Sequence, residues 1–71
     1  MSKAGVFTFR EIVNTNEELQ EELRNGGSLI ALAARYRIVI TPEDVRGAME
    51  EMEGEMEDEE RGWYETAASG A

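Results

Sequence analysis

The chain has no cysteine and no histidine, a single proline, and 7 basic residues against 16 acidic ones. Each shortage closes off a class of function. Without cysteine there is neither a disulfide framework nor a thiolate ligand, and without histidine every arrangement that pairs a nucleophile with an imidazole base is missing. The uncharged stretch 28–34 is far too short to span a bilayer, and the N-terminal "MSKAGVFTFREIV" shows no sustained apolar region followed by a cleavage site. A cytoplasmic location is the simplest expectation. The shortage of Lys and Arg counts against a nucleic-acid ligand, because phosphate binding draws its free energy from basic side chains that displace counterions. With 71 residues the chain is one domain at most, and a domain that small buries only about 60% of the surface of its unfolded chain, so the core is thin.

The net charge of -9 is unevenly spread. Residues 1–38 balance Lys3, Arg10, Arg24, Arg35 and Arg37 against five glutamates, whereas residues 39–71 set Arg46 and Arg61 against eleven carboxylates. This division predicts a helical recognition domain over 1–53 and an acidic flexible tail over 54–71 that ends in Gly-Ala.

Helical periodicity organises the first part. Phe9, Ile12 and Val13 predict a short helix over roughly residues 6–13. Asn16 is placed to cap a second helix with Glu17 and Glu18 in its first turn and Leu19 and Leu23 on one face, ended by Gly26-Gly27. Ser28 caps a third, "LIALAARYR", whose buried face is Leu29, Leu32, Ala33 and Tyr36. Ile38, Val39 and Ile40 are strand-like, but no second such run exists to pair with them, so they read as an extended connector that plugs the core. Thr41, then Pro42 at the first helical position with Glu43 and Asp44 after it, is a strong helix start. The fourth helix carries Val45, Ala48, Met49, Met52 and Met56 on one face. Gly54 and the run Glu57 to Glu60 predict fraying from about residue 53. The expected fold is all-α: a small bundle of three to four short helices with an acidic, disordered C-terminal tail.

Four constellations bear on function. "LIALAARYRIVITPEDVRGAM" has the apolar frame of a helix-turn-helix unit, but its second helix presents Glu43, Asp44, Glu50, Glu51 and Glu53 against one Arg46, and repulsion from phosphates counts against DNA reading. The glutamates of residues 50–60 lack the fixed glycine and closing Glu of a calcium loop, so no metal and no cofactor is expected. The methionines at 49, 52 and 56 suit either a packed core or a helix that docks into a partner groove. Carboxylate pairs on exposed helix faces lack the desolvated pocket that general acid and base work needs, so no catalytic residue is assigned and the chain reads as a non-enzyme.

The succession "FREIVNTNEELQEELRNGG", "LAARYRIVITPEDVRGAM" and "DEE", closing on "SGA", resembles the leader peptides of the Nif-eleven-like family, named for nitrogen-fixation associated proteins. The resemblance spans residues 7–60 and rests on Phe9, Val13, Leu19, Leu23, Ala33, Ile40, Thr41, Glu43, Asp44 and Val45. Such leaders belong to precursors of ribosomally made, post-translationally modified peptides. The resemblance implies a helical handle that a peptide-modifying enzyme grips while a separate segment enters the active site, making the reaction effectively intramolecular. Three departures stand out: Arg61 where family leaders carry a leucine after "DEE", "RYRIV" where a glycine-containing turn is usual, and Gly70-Ala71 closing the chain where a core peptide would follow.

Two expectations remain open on that last point: a leader cut from a longer precursor, or a scaffold peptide whose C-terminus is itself extended. The second resembles substrates of a peptide aminoacyl-tRNA ligase and is favoured here, with Ala71 as the attachment point. Trp63 and Tyr64 are the lesser option as sites of tail modification. Enzyme docking is assigned to Leu19, Leu23, Ile40, Val45, Met49 and Met52, and the partner is a protein; membrane and direct nucleic-acid contacts are not expected, and the free chain is read as monomeric. The alternative is an acidic interaction module, a nucleic-acid mimic that covers the basic surface of another protein.

Overall fold

The helix starts legible in the sequence are made by local hydrogen bonds in the structure, a computed structural model that describes residues 3–70. Asn16 accepts from the Leu19 amide at 3.2 Å and Ser28 from the Ala31 amide at 3.2 Å, opening α2 (Glu17–Arg24) and α3 (Leu29–Arg35). Thr41 accepts from the Asp44 amide at 3.1 Å while the Asp44 carboxylate accepts from the Thr41 amide at 3.0 Å. This reciprocal cap, with Asp in the place more often held by Glu, starts α4 (Pro42–Met52). The first helix, α1, runs Lys3–Asn14, longer than its apolar spacing predicts.

Helix ends are equally local. After α2 the Gly26 amide bonds the Leu23 carbonyl and the Gly27 amide the Glu22 carbonyl, with Gly26 at φ 93°. After α3 the same pair of bonds joins Arg37 to Ala34 and Ile38 to Ala33, but the left-handed position at φ 62° is occupied by Arg37. The connector that follows behaves as its composition predicts at one end only. Ile40 is buried among the core residues, Ile38 packs partly against them, and Val39 stands 70% exposed.

The core gathers Val6, Phe9 and Val13 from α1, Leu19 and Leu23 from α2, Leu29, Leu32 and Ala33 from α3, and Val45, Ala48 and Met52 from α4. Complete burial of side chains such as Phe9 and Val45 contributes about 1.5–3 kcal/mol each. Tyr36, expected on the buried face of α3, instead lies half-exposed over Phe9, its ring centroid 6.0 Å away and tilted by 53°.

The last quarter of the chain departs from expectation. The architecture is all-helical, but with five α-helices among the described residues where three or four are predicted, and the segment expected to be a disordered acidic tail is helix. α4 stops at Met52, a single 3₁₀ turn covers Glu53–Glu55, and α5 runs Asp58–Ala68. Gly54 and the acidic run do interrupt the helix, as their propensities require, but the chain then starts another one. The reason is twofold. Asp58, Glu59 and Glu60 fall in the first turn of α5, where the helix dipole favours negative charge, and Met56, Tyr64, Ala67 and Ala68 extend the core. α5 returns antiparallel along α4: Gly70 lies beside Pro42, and Arg46 reaches the Ala68 carbonyl. The Cα radius of gyration, 10.6 Å, is close to the roughly 11 Å of a compact domain of this length.

Candidate functional site

α5 is where charge, an aromatic pair and an open cleft meet. Its amino end carries three successive carboxylates, each with an arginine partner, two of them from other helices. Arg10 of α1 makes a two-pronged contact with Glu60, Nε to Oε2 at 2.8 Å and Nη2 to Oε1 at 3.3 Å. Arg24 of α2 lies 3.2 Å from Glu59, and Arg61 of α5 itself lies 2.9 Å from Asp58. At the far end, Arg46 of α4 donates to the Ala68 carbonyl at 2.7 Å, placing a cation at the negative end of the helix dipole.

These contacts differ in worth. Arg24 and Glu59 are well exposed, and such pairs contribute under about 1 kcal/mol. The Arg10 and Glu60 side chains are 20% and 12% exposed, and their bidentate, charge-assisted geometry makes them the stronger fastening. The hydrogen bond that Arg10 donates to Glu60 raises the Arg10 pKa above its ordinary value, against the opposing effect of burial. Beside this pair sits Tyr64, whose side chain is fully buried. Its hydroxyl has no hydrogen-bond partner among the described residues. Burial pushes the phenol pKa up, the Glu60 charge pushes it further, and Arg10 acts in the opposite sense.

Between α2 and α5 lies an open cleft of about 490 Å³ lined by Asn14, Gln20, Arg24, the four residues 57–60 and Trp63. An indole wall beside carboxylates suits a cationic side chain, through the ring quadrupole and through charge. A smaller crevice of about 110 Å³ runs under Trp63 between Leu23, Leu29, Thr66 and Ala67. On the opposite flank, Met49, Arg46 and Glu50 of α4 face Arg61 and Glu65 of α5 across a shallow groove. No group of three His, Cys, Asp or Glu residues able to hold a metal ion occurs among the described residues. Nor is any helix among them long and apolar enough to cross a membrane.

The residues assigned to docking from the sequence are distributed unevenly. Leu19, Leu23, Ile40, Val45 and Met52 are all buried in the core, where they hold the helices together, and a partner can reach them only if helices part. Met49 is half-buried beside α5 and remains reachable. Trp63 lines the cleft, while the adjacent Tyr64 is sealed inside, so the two aromatics of the supposed tail have opposite fates. Ala71, the assigned attachment point, lies outside the described residues; Gly70 before it is exposed at φ 80°. The arginine fastenings were not anticipated, since Arg10 and Glu60 stand 50 positions apart and Arg24 and Glu59 stand 35 apart. The one available signal was the placement of Tyr64, Ala67 and Ala68 three and four residues apart behind an acidic start, a weak amphipathic pattern built mostly from methyl groups. Comparison with known proteins gives no match: no family model, no curated protein and no solved structure is similar to the chain.

Proposed function

We propose that the chain is a leader or scaffold (carrier) peptide for natural-product biosynthesis: a substrate whose folded part is recognised by a peptide-modifying enzyme and which is modified at Ala71 or beyond it. One observation supports this best. The positions that resemble the Nif-eleven-like leaders lie on four helices and the connector before α4, and Phe9, Val13, Leu19, Leu23, Ala33, Ile40 and Val45 converge in one core. That convergence supports reading the pattern as a folded handle, with Gly70 exposed beyond its last helix. A handle of this kind raises the local concentration of the attached segment at an active site. Recognition would draw on the outer faces, notably Met49, Trp63 and the surrounding carboxylates, since the apolar residues of the pattern are occupied in packing.

The test is the intact and fragment mass of the full chain after co-expression with candidate modifying enzymes encoded beside it. Mass added to the fragment that ends at Ala71 supports the scaffold form of the reading. A change confined to Trp63 would make the C-terminal helix itself the modified segment. An unchanged mass with every such enzyme rejects the reading.

A second reading has its own support. Glu11, Glu17, Glu18, Glu43, Glu50, Glu57 and Glu65 are exposed and make no ion pair among the described residues. That unneutralised surface fits an acidic module that covers a basic protein. Binding that disappears near 0.5 M salt, where the screening length falls to roughly 4 Å, would favour it. Binding that survives would favour recognition through apolar contacts.

A further inference from the structure

We infer that α5 is an ion-latched cover that detaches from the α1–α4 body without unfolding it, uncovering Leu23, Leu29 and Met49. Three features converge on this helix. First, its start lacks the fastening found elsewhere. Asn16, Ser28 and Thr41 cap α2, α3 and α4 with side-chain hydrogen bonds, whereas Glu57 before α5 makes none. The link from α4 is a 3₁₀ turn followed by extended backbone at Met56 and Glu57 (ψ 138° and 162°), so α5 can swing without disturbing the hydrogen bonds of α4. Second, polar contacts fasten it over an apolar seat made by Tyr64, Ala67 and Ala68. Ala67 and Ala68 bring one methyl group each, and Tyr64 brings a ring whose buried hydroxyl is unpartnered, which opposes the closed state. Arg10, Arg24 and Arg46, from three other helices, hold the rest through Glu60, Glu59 and the Ala68 carbonyl. Third, α1 packs directly on α4, and Val6, Phe9, Val45 and Ala48 on these two helices are apolar members of the core with essentially no exposed surface. That interface persists when α5 leaves.

Opening is a property of the free chain. That a modifying enzyme captures the open form through Met49 and Leu23 rests on the leader reading, and the experiment below needs no enzyme, so the two can fail separately.

Hydrogen exchange of the full chain, read by mass on fragments covering α1 and α5, tests the inference. Amides of residues 64–68 are expected to exchange at least about tenfold faster than those of residues 9–13 after correction for intrinsic rates, because sub-global opening precedes global unfolding. Tyr64→Phe should slow exchange in α5 about fivefold and leave α1 unchanged. Arg10→Met should speed α5 alone. Glu60→Gln breaks the same latch from the other side and replaces Arg10→Met if that variant fails to fold. Equal protection in α1 and α5, moving together in every variant, would overturn the inference, since it would make the chain one cooperative unit.

Discussion

Tyr64 and Arg37 are two residues whose surroundings oppose them. The Tyr64 hydroxyl is shut into the interior without a partner among the described residues, and a buried polar group in that condition costs about 1–3 kcal/mol. Tyr64→Phe is therefore expected to stabilise the chain by about 1 kcal/mol, which in a domain of this size raises the thermal midpoint by about 4–8 °C. An unchanged or lower midpoint would mean that the hydroxyl is satisfied after all. Arg37 occupies the left-handed position that ends α3. Arg37→Gly relieves that strain and should add about 0.5–1 kcal/mol in urea unfolding, more than the entropy it gives back to the unfolded chain. The departure of "RYRIV" from a glycine-containing turn thus acquires a physical meaning: the backbone keeps the turn and bears the side chain. Gly27 is the converse. A Cβ there would meet the Glu22 carbonyl oxygen at 2.7 Å, so Gly27→Ala is expected to destabilise by about 1–3 kcal/mol. None of these three environments can be read from residue type alone.

At the scale of elements, the caps explain why three helix starts were legible. A cap is a contract between residues three apart, and Asn16, Ser28 and Thr41 keep theirs. Thr41→Ala should cost about 1 kcal/mol of stability, measured by chemical unfolding followed through helical circular dichroism. Its partner gives a pH signature. The hydrogen bond from the Thr41 amide holds the Asp44 pKa below the ordinary carboxylate value. A lowered folded-state pKa means that the unfolded chain binds the proton first. The contribution is accordingly complete above the unfolded value of about 3.9 and is lost as the pH falls through the folded one. Asp44→Asn is expected to lower stability near neutrality and to flatten the loss of stability below about pH 4; an acid limb as steep as that of the parent chain would reject the assignment. α5 was not legible because nothing local commands it. Its propensity is interrupted by glycines, its acidic start looks like a run of repulsion, and its buried face is two alanines and a tyrosine. What makes it a helix is tertiary folding, which seats Tyr64, Ala67 and Ala68 in the core and brings arginines to its carboxylates.

For the whole molecule, the margin is narrow. A chain of this length has a total stability on the order of 4–10 kcal/mol, and Phe9→Ala, which removes a fully buried ring, is expected to cost about 3–5 of it. That variant should be largely unfolded by circular dichroism at 37 °C. Met49→Ala, at a half-buried site on the flank of α4, should leave the fold intact at a cost of about 1 kcal/mol. It is the substitution that separates recognition from folding, which the wholly buried Leu19, Leu23, Ile40, Val45 and Met52 cannot do. The charge asymmetry also changes meaning at this scale. Arg10, Arg24 and Arg35, three of the basic residues of the neutral first half, pair with glutamates, two of them across the fold to α5, so the surface left to solvent is acidic on more sides than the acidic segment alone would make it.

Sequence by itself determined the all-helical class, the starts of α2, α3 and α4, the glycine stop after α2 and most of the core, because caps and apolar spacing act over three or four residues. It also determined the net charge, and with it the kind of partner the surface repels. Tertiary structure alone decided that residues 58–68 become a packed helix, that Trp63 faces a cleft while Tyr64 is buried, and that the presumed docking residues other than Met49 are core. Those outcomes rest on ion pairs between residues 35 and 50 positions apart and on how much room two alanines leave beside α4. Free energies of that kind depend on where distant parts of the chain arrive, and only the folded arrangement specifies that.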